Sequence, residues 1–473
     1  MRARLVILIL IISSFSAHSQ QYALFNTKTL FDSFENPAQK SFVLDSSRQF
    51  ASNFLIPYLD ISSLNKGNSN EAIRRLVTKS YSQSRIGKFE NPQTVRENIN
   101  IYLVNIRLFK YHKFHSEMGF SWQIKVENTI DYDENISKGL FYDTFSKFVT
   151  IPKINVFNNN GRLQSYHQIS FNYRENYNKR WALGTKLSLL SGIGYAEFNA
   201  DRSSVNIDGP NNMMDISMAA TYRLNYPEDG VFNFKNALPF KNFGAAISLG
   251  TTYTTKSGIF LMANIKDLGF IRWGKNSYTG YFDVDKTNVP ITGNPGEQTE
   301  AKFQRTLERL AKENTDQKRF VTPINSRADF LISKTFGPYT PNLIVTKNIF
   351  NKFGEAAFVN TIKSGNISFS VTPSYNTDKN FRLGVQGMYQ TPNFEMFLGT
   401  NDLIQTYYAS KDIIQDNADA GTGYNRGSIY LGMAFKIGYV VEHPMNMSWM
   451  PGINDKDRKS FFSKIFGIFK KKK

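Results

Sequence analysis

The chain of 473 residues contains no cysteine. An exported protein without cysteine has no disulfide framework, so packing and hydrogen bonding alone must hold its fold. Histidine is scarce as well, with five in all. They are His18, His112, His115, His167 and His443, and none stands in an H-E-x-x-H motif. His112 and His115 flank a turn as an isolated pair, which lacks the further ligands a metal site needs. His167, in "LQSYHQISFNY", shares its face with Leu163, Ile169 and Phe171. It reads as a residue near a membrane interface and not as a base. There is no G-x-S-x-G elbow and no phosphate-cradling glycine loop. An enzyme, a metal and a cofactor are therefore not expected. After the first residues no apolar run is long enough to cross a bilayer as a helix. No linker rich in Pro, Ser or Gly divides the chain, which predicts one large domain.

Aromatic residues are abundant. The chain carries 40 Phe and 24 Tyr, although 20% of its residues are charged and its mean hydropathy is −0.38. A polar average with so many rings suits a barrel in a membrane, greasy outside, polar within and aromatic at the interfaces. The net charge is +18. No nucleic-acid module accompanies it, so nucleic acid is not expected, and acidic lipid headgroups are the natural partners. The start, "MRARLVILILIISSFSAHSQQ", has Arg2 and Arg4, an apolar run from Leu5 to Ile12 and small residues at Ala17 and Ser19. That order predicts a secretory leader over 1–19.

Alternation with a period of two recurs along the chain. In "RGSIYLGMAFKIGYVVEH" the residues Ile429, Leu431, Met433, Phe435, Ile437 and Tyr439 alternate with Tyr430, Gly432, Ala434, Lys436 and Gly438. "KFHSEMGFSWQIKVEN", "KRWALGTKLSLLSG", "KNFGAAISLGTTY", "GNISFSVTPSY" and "FRLGVQGMY" repeat the pattern. A soluble sandwich alternates too, but its second face carries Lys, Glu and Thr, whereas here that face is rich in Gly, Ala and Ser. Small residues suit a crowded barrel interior. The fold expected is all-β, an antiparallel transmembrane barrel of about 14 strands with short helices in its loops. Long connections fall at Lys66 to Pro92, Thr129 to Asn160, Lys286 to Pro323 and Asp402 to Asn425, all assignable to one side. Two of them hold helical patterns, each with one apolar face, Ile73, Leu76 and Val77 in the first and Phe303, Leu307 and Leu310 in the second, suited to packing at the barrel mouth.

Behind the leader comes "QYALFNTKTLFDSFENPAQKSF", then a first strand near "RQFASNFLIPYLDISS". The aromatic start, Asn36-Pro37-Ala38 and the strand after them resemble a family of uncharacterised outer-membrane barrels from Bacteroidota. "LGTKLSLLSGIG", "IKDLGFIRWGK" and "RFVTPINSRADFLIS" are similar to later landmarks of that family. Through "NPA" the family is distantly similar to long-chain fatty-acid transporters, and on the same grounds to barrel subunits of the type IX secretion system. The resemblance implies an outer-membrane location and a plug formed by 20–47, with Leu24, Phe25, Phe31, Phe34, Asn36 and Pro37 in it, ahead of a barrel over 48–441. It implies either admission of hydrophobic compounds through a plugged lumen, or a subunit or partner in secretion or surface-protein assembly that binds other envelope proteins. An outer-membrane enzyme is the third reading. The residues themselves nominate a lumenal polar set on the small or polar strand faces, Glu117, Lys125, Lys186, Arg382 and Gln386. These either form a site or only satisfy one another.

The chain continues past its last alternating stretch. Pro444 and Pro451 take it out of the sheet, and "KDRKSFFSKIFGIFKKKK" follows. Residues 442–473 thus read as a periplasmic basic tail. Phe461, Phe462, Phe466 and Phe469 would lie among headgroups of outer-membrane lipids, with Lys470, Lys471, Lys472 and Lys473 on phosphates. A docking peptide for a periplasmic partner and a disordered tail are the competing readings. Each lysine near an anionic surface contributes ~1 kcal/mol. A synthetic peptide of residues 456–473 is expected to become helical on anionic vesicles and to lose affinity as salt rises. A peptide that stays unfolded and unbound at low salt would favour the partner reading.

Overall fold

The computed structural model describes residues 21–42, 48–66, 93–110, 116–132, 153–154, 159–208, 211, 213–225, 240–290, 309, 315–407, 410 and 424–440. The leader, the basic tail, the helical patterns around Ile73 and Phe303, and His112 and His115 lie outside these residues.

One sheet gathers 20 strand runs. The first eight are β1 (Arg48–Ser52), β2 (Tyr58–Lys66), β3 (Gln93–Lys110), β4 (Ser116–Tyr132), β5 (Lys153–Ile154), β6 (Asn159–Asn176), β7 (Trp181–Asp208) and β8 (Met213–Asn225). Next come β9 (Phe243–Thr254), β10 (Ile259–Trp273), β11 (Tyr278–Pro290), β12 (Thr315–Gln317), β13 (Phe320–Pro323) and β14 (Arg327–Lys334). The last are β15 (Tyr339–Asn348), β16 (Gly354–Ser364), β17 (Ile367–Asn376), β18 (Phe381–Gln390), β19 (Phe394–Thr400) and β20 (Tyr424–Val440).

Several runs lie end to end. β1 and β2 both pair with β20 on one side and β3 on the other. β5 and β6 follow one edge of β7, and β8 and β9 follow its other edge. β10 continues into β11, and β12, β13 and β14 line up against that pair. Taking each such set as one stave gives a closed antiparallel barrel of 14. Closure comes from β20 bonding back to the first stave, with Arg48 opposite Val440 and Asp60 opposite Tyr430. A closed sheet has no free edge, the condition for strands in hydrocarbon.

The alternation read from the sequence separates outside from inside. On β20, Ile429 and Ile437 are exposed, while Tyr430 and Ala434 are buried. Phe120, Phe171, Leu187, Leu189, Ile247 and Phe369 likewise face outward, and their strand neighbours Ser121, Ser170, Ser188, Ser248 and Ser370 face in. His167 lies on the outward side of β6 and accepts a hydrogen bond from Trp122 Nε1 at 3.2 Å. The connections also segregate. At the rim shared by Arg48 and Val440 the described chain turns within 177–180, 255–258, 335–338, 365–366 and 391–393. The strand ends on either side of the longest connections, 67–92, 133–152, 291–314 and 401–423, are all at the opposite, upper rim. The loop expected to run from Lys286 to Pro323 is shorter than that, because β11 extends to Pro290 and Thr315–Gln317 and Phe320–Pro323 pair into the wall.

The first stave is interrupted at 53–57. Pro57 has no N–H for a ladder, and Phe54 and Leu55 take left-handed φ of 47° and 62°. Asn53 repairs part of the gap, accepting from the Asn105 amide at 2.8 Å.

The lipid-facing reading of β20 yields a direct test. Leu431→Arg or Phe435→Arg is expected to disfavour barrel assembly by ~2–4 kcal/mol for a charge near the bilayer midplane. Heat-modifiable migration on unboiled gels reports the folded barrel, and two arginine variants that fold as well as wild type would contradict the outward assignment.

Candidate functional site

Residues 21–42 occupy the barrel interior. A 3-10 turn over Tyr22–Leu24 is followed by a short helix, α1, over Leu30–Glu35. Thr29 caps it by accepting from the Asp32 amide at 3.1 Å, and Pro37 follows just beyond its end. The segment doubles back on itself. Tyr22 donates to Glu355 at the upper end of β16, Gln390 at the lower rim donates to the Thr27 carbonyl, and Arg327 at the upper end of β14 holds Glu35. Ser41 returns to the lower rim, onto Glu117. Its apolar side chains are almost fully covered, Phe34 at 0% and Phe31 at 1% exposure.

One side of the lumen is aromatic. Phe31 stacks on Tyr58 with ring centroids 4.4 Å apart, and meets Tyr102 at 5.9 Å and Phe397 at 5.5 Å. Tyr430 completes this cluster on β20. These four wall residues come from neighbouring staves, so they make a continuous apolar stripe beneath the segment. The wall is carved to admit it. A side chain at Gly432 would collide with Phe397, Phe31 and Tyr58 within 3 Å, and one at Gly184 would run into the Pro37 carbonyl.

Charged groups are spread over the rest of the wall, and the five nominated polar residues are all buried toward the lumen. Glu117 accepts from the Ser41 amide and hydroxyl, both at 3.1 Å, and from Arg107 Nε at 3.0 Å. Lys125 and Lys186 are brought together on one carboxylate, Asp267, at 2.7 and 3.1 Å. Arg382 pairs with Glu355. Gln386 donates to the Ala23 carbonyl at 3.2 Å and accepts from Tyr430 at 3.0 Å. Of the nominated segment residues, Asn36 accepts from Asn264 at 2.8 Å and donates to Asp32 at 2.7 Å. Leu24 and Phe25 pack into two different wall clusters.

Sequence reasoning missed the partners. Arg107 and Arg174 donate to the segment's backbone, to the Ser33 carbonyl at 3.1 Å and the Ala38 carbonyl at 3.0 Å. Glu395 accepts from the Leu30 amide at the start of α1, at 2.6 Å. Asp267 sits at a bulge with φ of 50°, which turns both Lys266 and Asp267 inward. The slip is visible in "NIKDLGF", where the apolar positions shift from Ile265 to Leu268, off the strand's period of two. Lys266 contacts Asp329 at 2.7 Å and Glu35 at 3.7 Å, and Arg327 donates to Glu35 at 2.8 Å. Burial would raise the Glu35 carboxyl, but Lys266 and Arg327 outweigh it and hold that group below the usual carboxylate range. Asp32 has weaker compensation. Burial pushes its carboxyl up to about 6, against hydrogen bonds from Asn36 and the Lys28 amide.

Between the segment and the upper rim lies an open polar cavity. Gln21, Tyr22 and Glu35 form one side, and wall residues including Asp60, Asn100 and Arg327 form the other. Among the described residues no group of three or more His, Cys, Asp and Glu has a metal-binding arrangement.

The chain belongs to a family of unknown function, DUF5723, whose model matches residues 45–401. No curated protein matches it. Among solved structures, a mutant of the TodX monoaromatic hydrocarbon channel is 8% identical with a TM-score of 0.44, over 90% of this chain and 96% of that one. A Pseudomonas aeruginosa FadL homologue is 9% identical with a TM-score of 0.43, over 88% and 96%. The P. putida toluene transporter TodX is 8% identical with a TM-score of 0.39, over 90% and 96%.

The fit at Gly184 generates a prediction. Gly184→Val is expected to leave the barrel folded, since valine suits a strand, while forcing Pro37 out of place. Limited proteolysis of the folded protein should then cut within 21–42 in the variant and not in wild type. Equal resistance in both would mean that the segment does not depend on this contact.

Proposed function

We propose that this member of the family is a gated outer-membrane barrel, in which residues 21–42 plug the lumen and yield to let small apolar or amphipathic compounds pass. The observation that carries the reading is the segment's placement. It is buried, and the side chains that hold it come from staves around much of the ring, among them Arg107, Arg174, Arg327, Gln386 and Glu395. Most of the bonds run to its backbone or to single polar side chains, so they break one at a time. Displacing Phe31 would uncover Tyr58, Tyr102, Phe397 and Tyr430, an apolar track beside charged pairs such as Arg107 with Glu117. Such a lumen suits a compound with an apolar body and a polar end.

The outward apolar band supports membrane lipid as the barrel's surroundings, and the short-turn rim supports a periplasmic orientation for the end where Arg48 and Val440 meet. A role in type IX secretion or surface-protein assembly has no supporting observation among the described residues, and most of the loops and the tail that such a role would use lie outside them.

Deletion of residues 22–42 should raise conductance in planar bilayers and speed uptake of a fluorescent long-chain acid into liposomes, relative to the full chain. Heat-modifiable migration would show that the truncated barrel folds. A folded deletion variant with unchanged conductance and uptake would remove the plug from the account.

A further inference from the structure

Two buried carboxylates meet at the first turn of α1. Asp32, on the segment, accepts from the Lys28 amide at 3.0 Å and from Asn36 at 2.7 Å. Glu395, on β19, accepts from the Leu30 amide at 2.6 Å. The two bonded amides are two residues apart, so one segment acid and one wall acid hold the same short stretch of backbone. Asp32 is 1% exposed and Glu395 is 0% exposed. Among the described residues neither has a cation within ion-pair distance. Arg107 on β3 is held by Glu117 at 3.0 Å, and Lys266 on β10 by Asp329 at 2.7 Å. Lys28 belongs to the segment itself, and the Lys436 ammonium on β20 lies 5.7 Å from the centre of the Phe42 ring. These four cations act on the pair only at longer range.

The segment's other acid is treated differently, since Glu35 meets Arg327 at 2.8 Å and Lys266 at 3.7 Å. A carboxylate moved from water into a dry site without a cation carries a desolvation cost that amide hydrogen bonds only partly offset. A second carboxylate beside it adds to that cost. A proton on the pair removes charge and still leaves an oxygen to accept from each amide. When the segment leaves the wall, Asp32 returns to water, where an aspartate ionises freely.

We propose that Asp32 and Glu395 make the docking of residues 21–42 proton-linked, so that the segment seats by taking up a proton and loosens as that proton is lost. The inference rests on the undocking step of the gated barrel and not on conduction. Burial pushes the docked Asp32 carboxyl up to about 6. A solvated aspartate titrates at ~3.9. The docked state holds the extra proton between those values. Docking is therefore firmest at low pH, weakens as pH rises through that interval and levels off above it. The whole change is about a hundredfold in the docking equilibrium, and about tenfold of it falls between pH 5 and pH 8.

Hydrogen exchange of the full chain in detergent measures docking without reference to conduction, read by mass spectrometry on peptides from 21–42 and normalised to the intrinsic rate at each pH. Protection in wild type is expected to fall about tenfold between pH 5 and pH 8. Asp32→Asn keeps an acceptor but cannot ionise, so its protection should stay flat over that range. Glu395→Gln keeps the bond to the Leu30 amide and should shrink the fall. Heat-modifiable migration shows that each variant is folded. Wild-type protection that does not change with pH, a fall that persists undiminished in either variant, or protection lost at pH 5 in Asp32→Asn would overturn the proton linkage and leave the plug in place. A pH-dependent loss of protection with no change in conductance would support the linkage and count against the gate instead.

Discussion

A closed barrel of 14 strands is wider than its own wall side chains can fill. In barrels of about eight strands the inward residues meet across the axis, whereas larger ones enclose either water or an inserted piece of chain. Here the inserted piece is a stretch of the protein's own chain, residues 21–42, and much of the interior follows from its presence. Glycine is found where the segment touches the wall, at 184 and 432, and rings are found where it is apolar. Charged donors stand where its carbonyls would otherwise lack partners.

The second requirement is electrical. Bringing Arg107, Arg174, Lys186 and Lys266 into a nearly dry interior costs several kcal/mol per ion unless each finds a counter-charge in good geometry. Glu117, Asp267 and Asp329 supply those counter-charges from the wall, and Glu35 supplies another from the segment. Removing the segment would therefore strip Arg327 and Lys266 of one partner while leaving Asp329 in place. The wall network is shared between partners on the wall and a partner on the inserted segment, as the proposed plug would require in order to leave without unfolding the barrel.

Much of the wall was legible in the sequence, because a period of two survives wherever the strand is regular. β4, β18 and β20 place inside and outside the residues that alternation assigns there. Glu117, Lys125, Lys186, Arg382 and Gln386 were recognisable as inward residues for the same reason. Their partners were not. That Lys125 and Lys186 share Asp267 depends on the register of separate staves and on a bulge that displaces the period by one residue. The break at 53–57 was hidden too, since Phe54, Leu55 and Ile56 read as a simple continuation of an apolar strand. Small inward residues announced a crowded lumen without saying what crowded it; the answer at Gly184 is Pro37, 147 positions earlier by residue number.

The absence of cysteine makes the central claim directly testable. The Ala38 Cβ lies 3.3 Å from the Cβ position of residue 250, close to the separation of paired cysteines. The double variant Ala38→Cys with Gly250→Cys, folded in membranes without reductant, should form that disulfide with no competing thiol in the chain. Mass spectrometry of the linked peptides would show the bond, which is expected in nearly all folded molecules. Folded barrels in which both thiols remain free and separately alkylatable would place residues 21–42 somewhere other than the lumen and contradict the account.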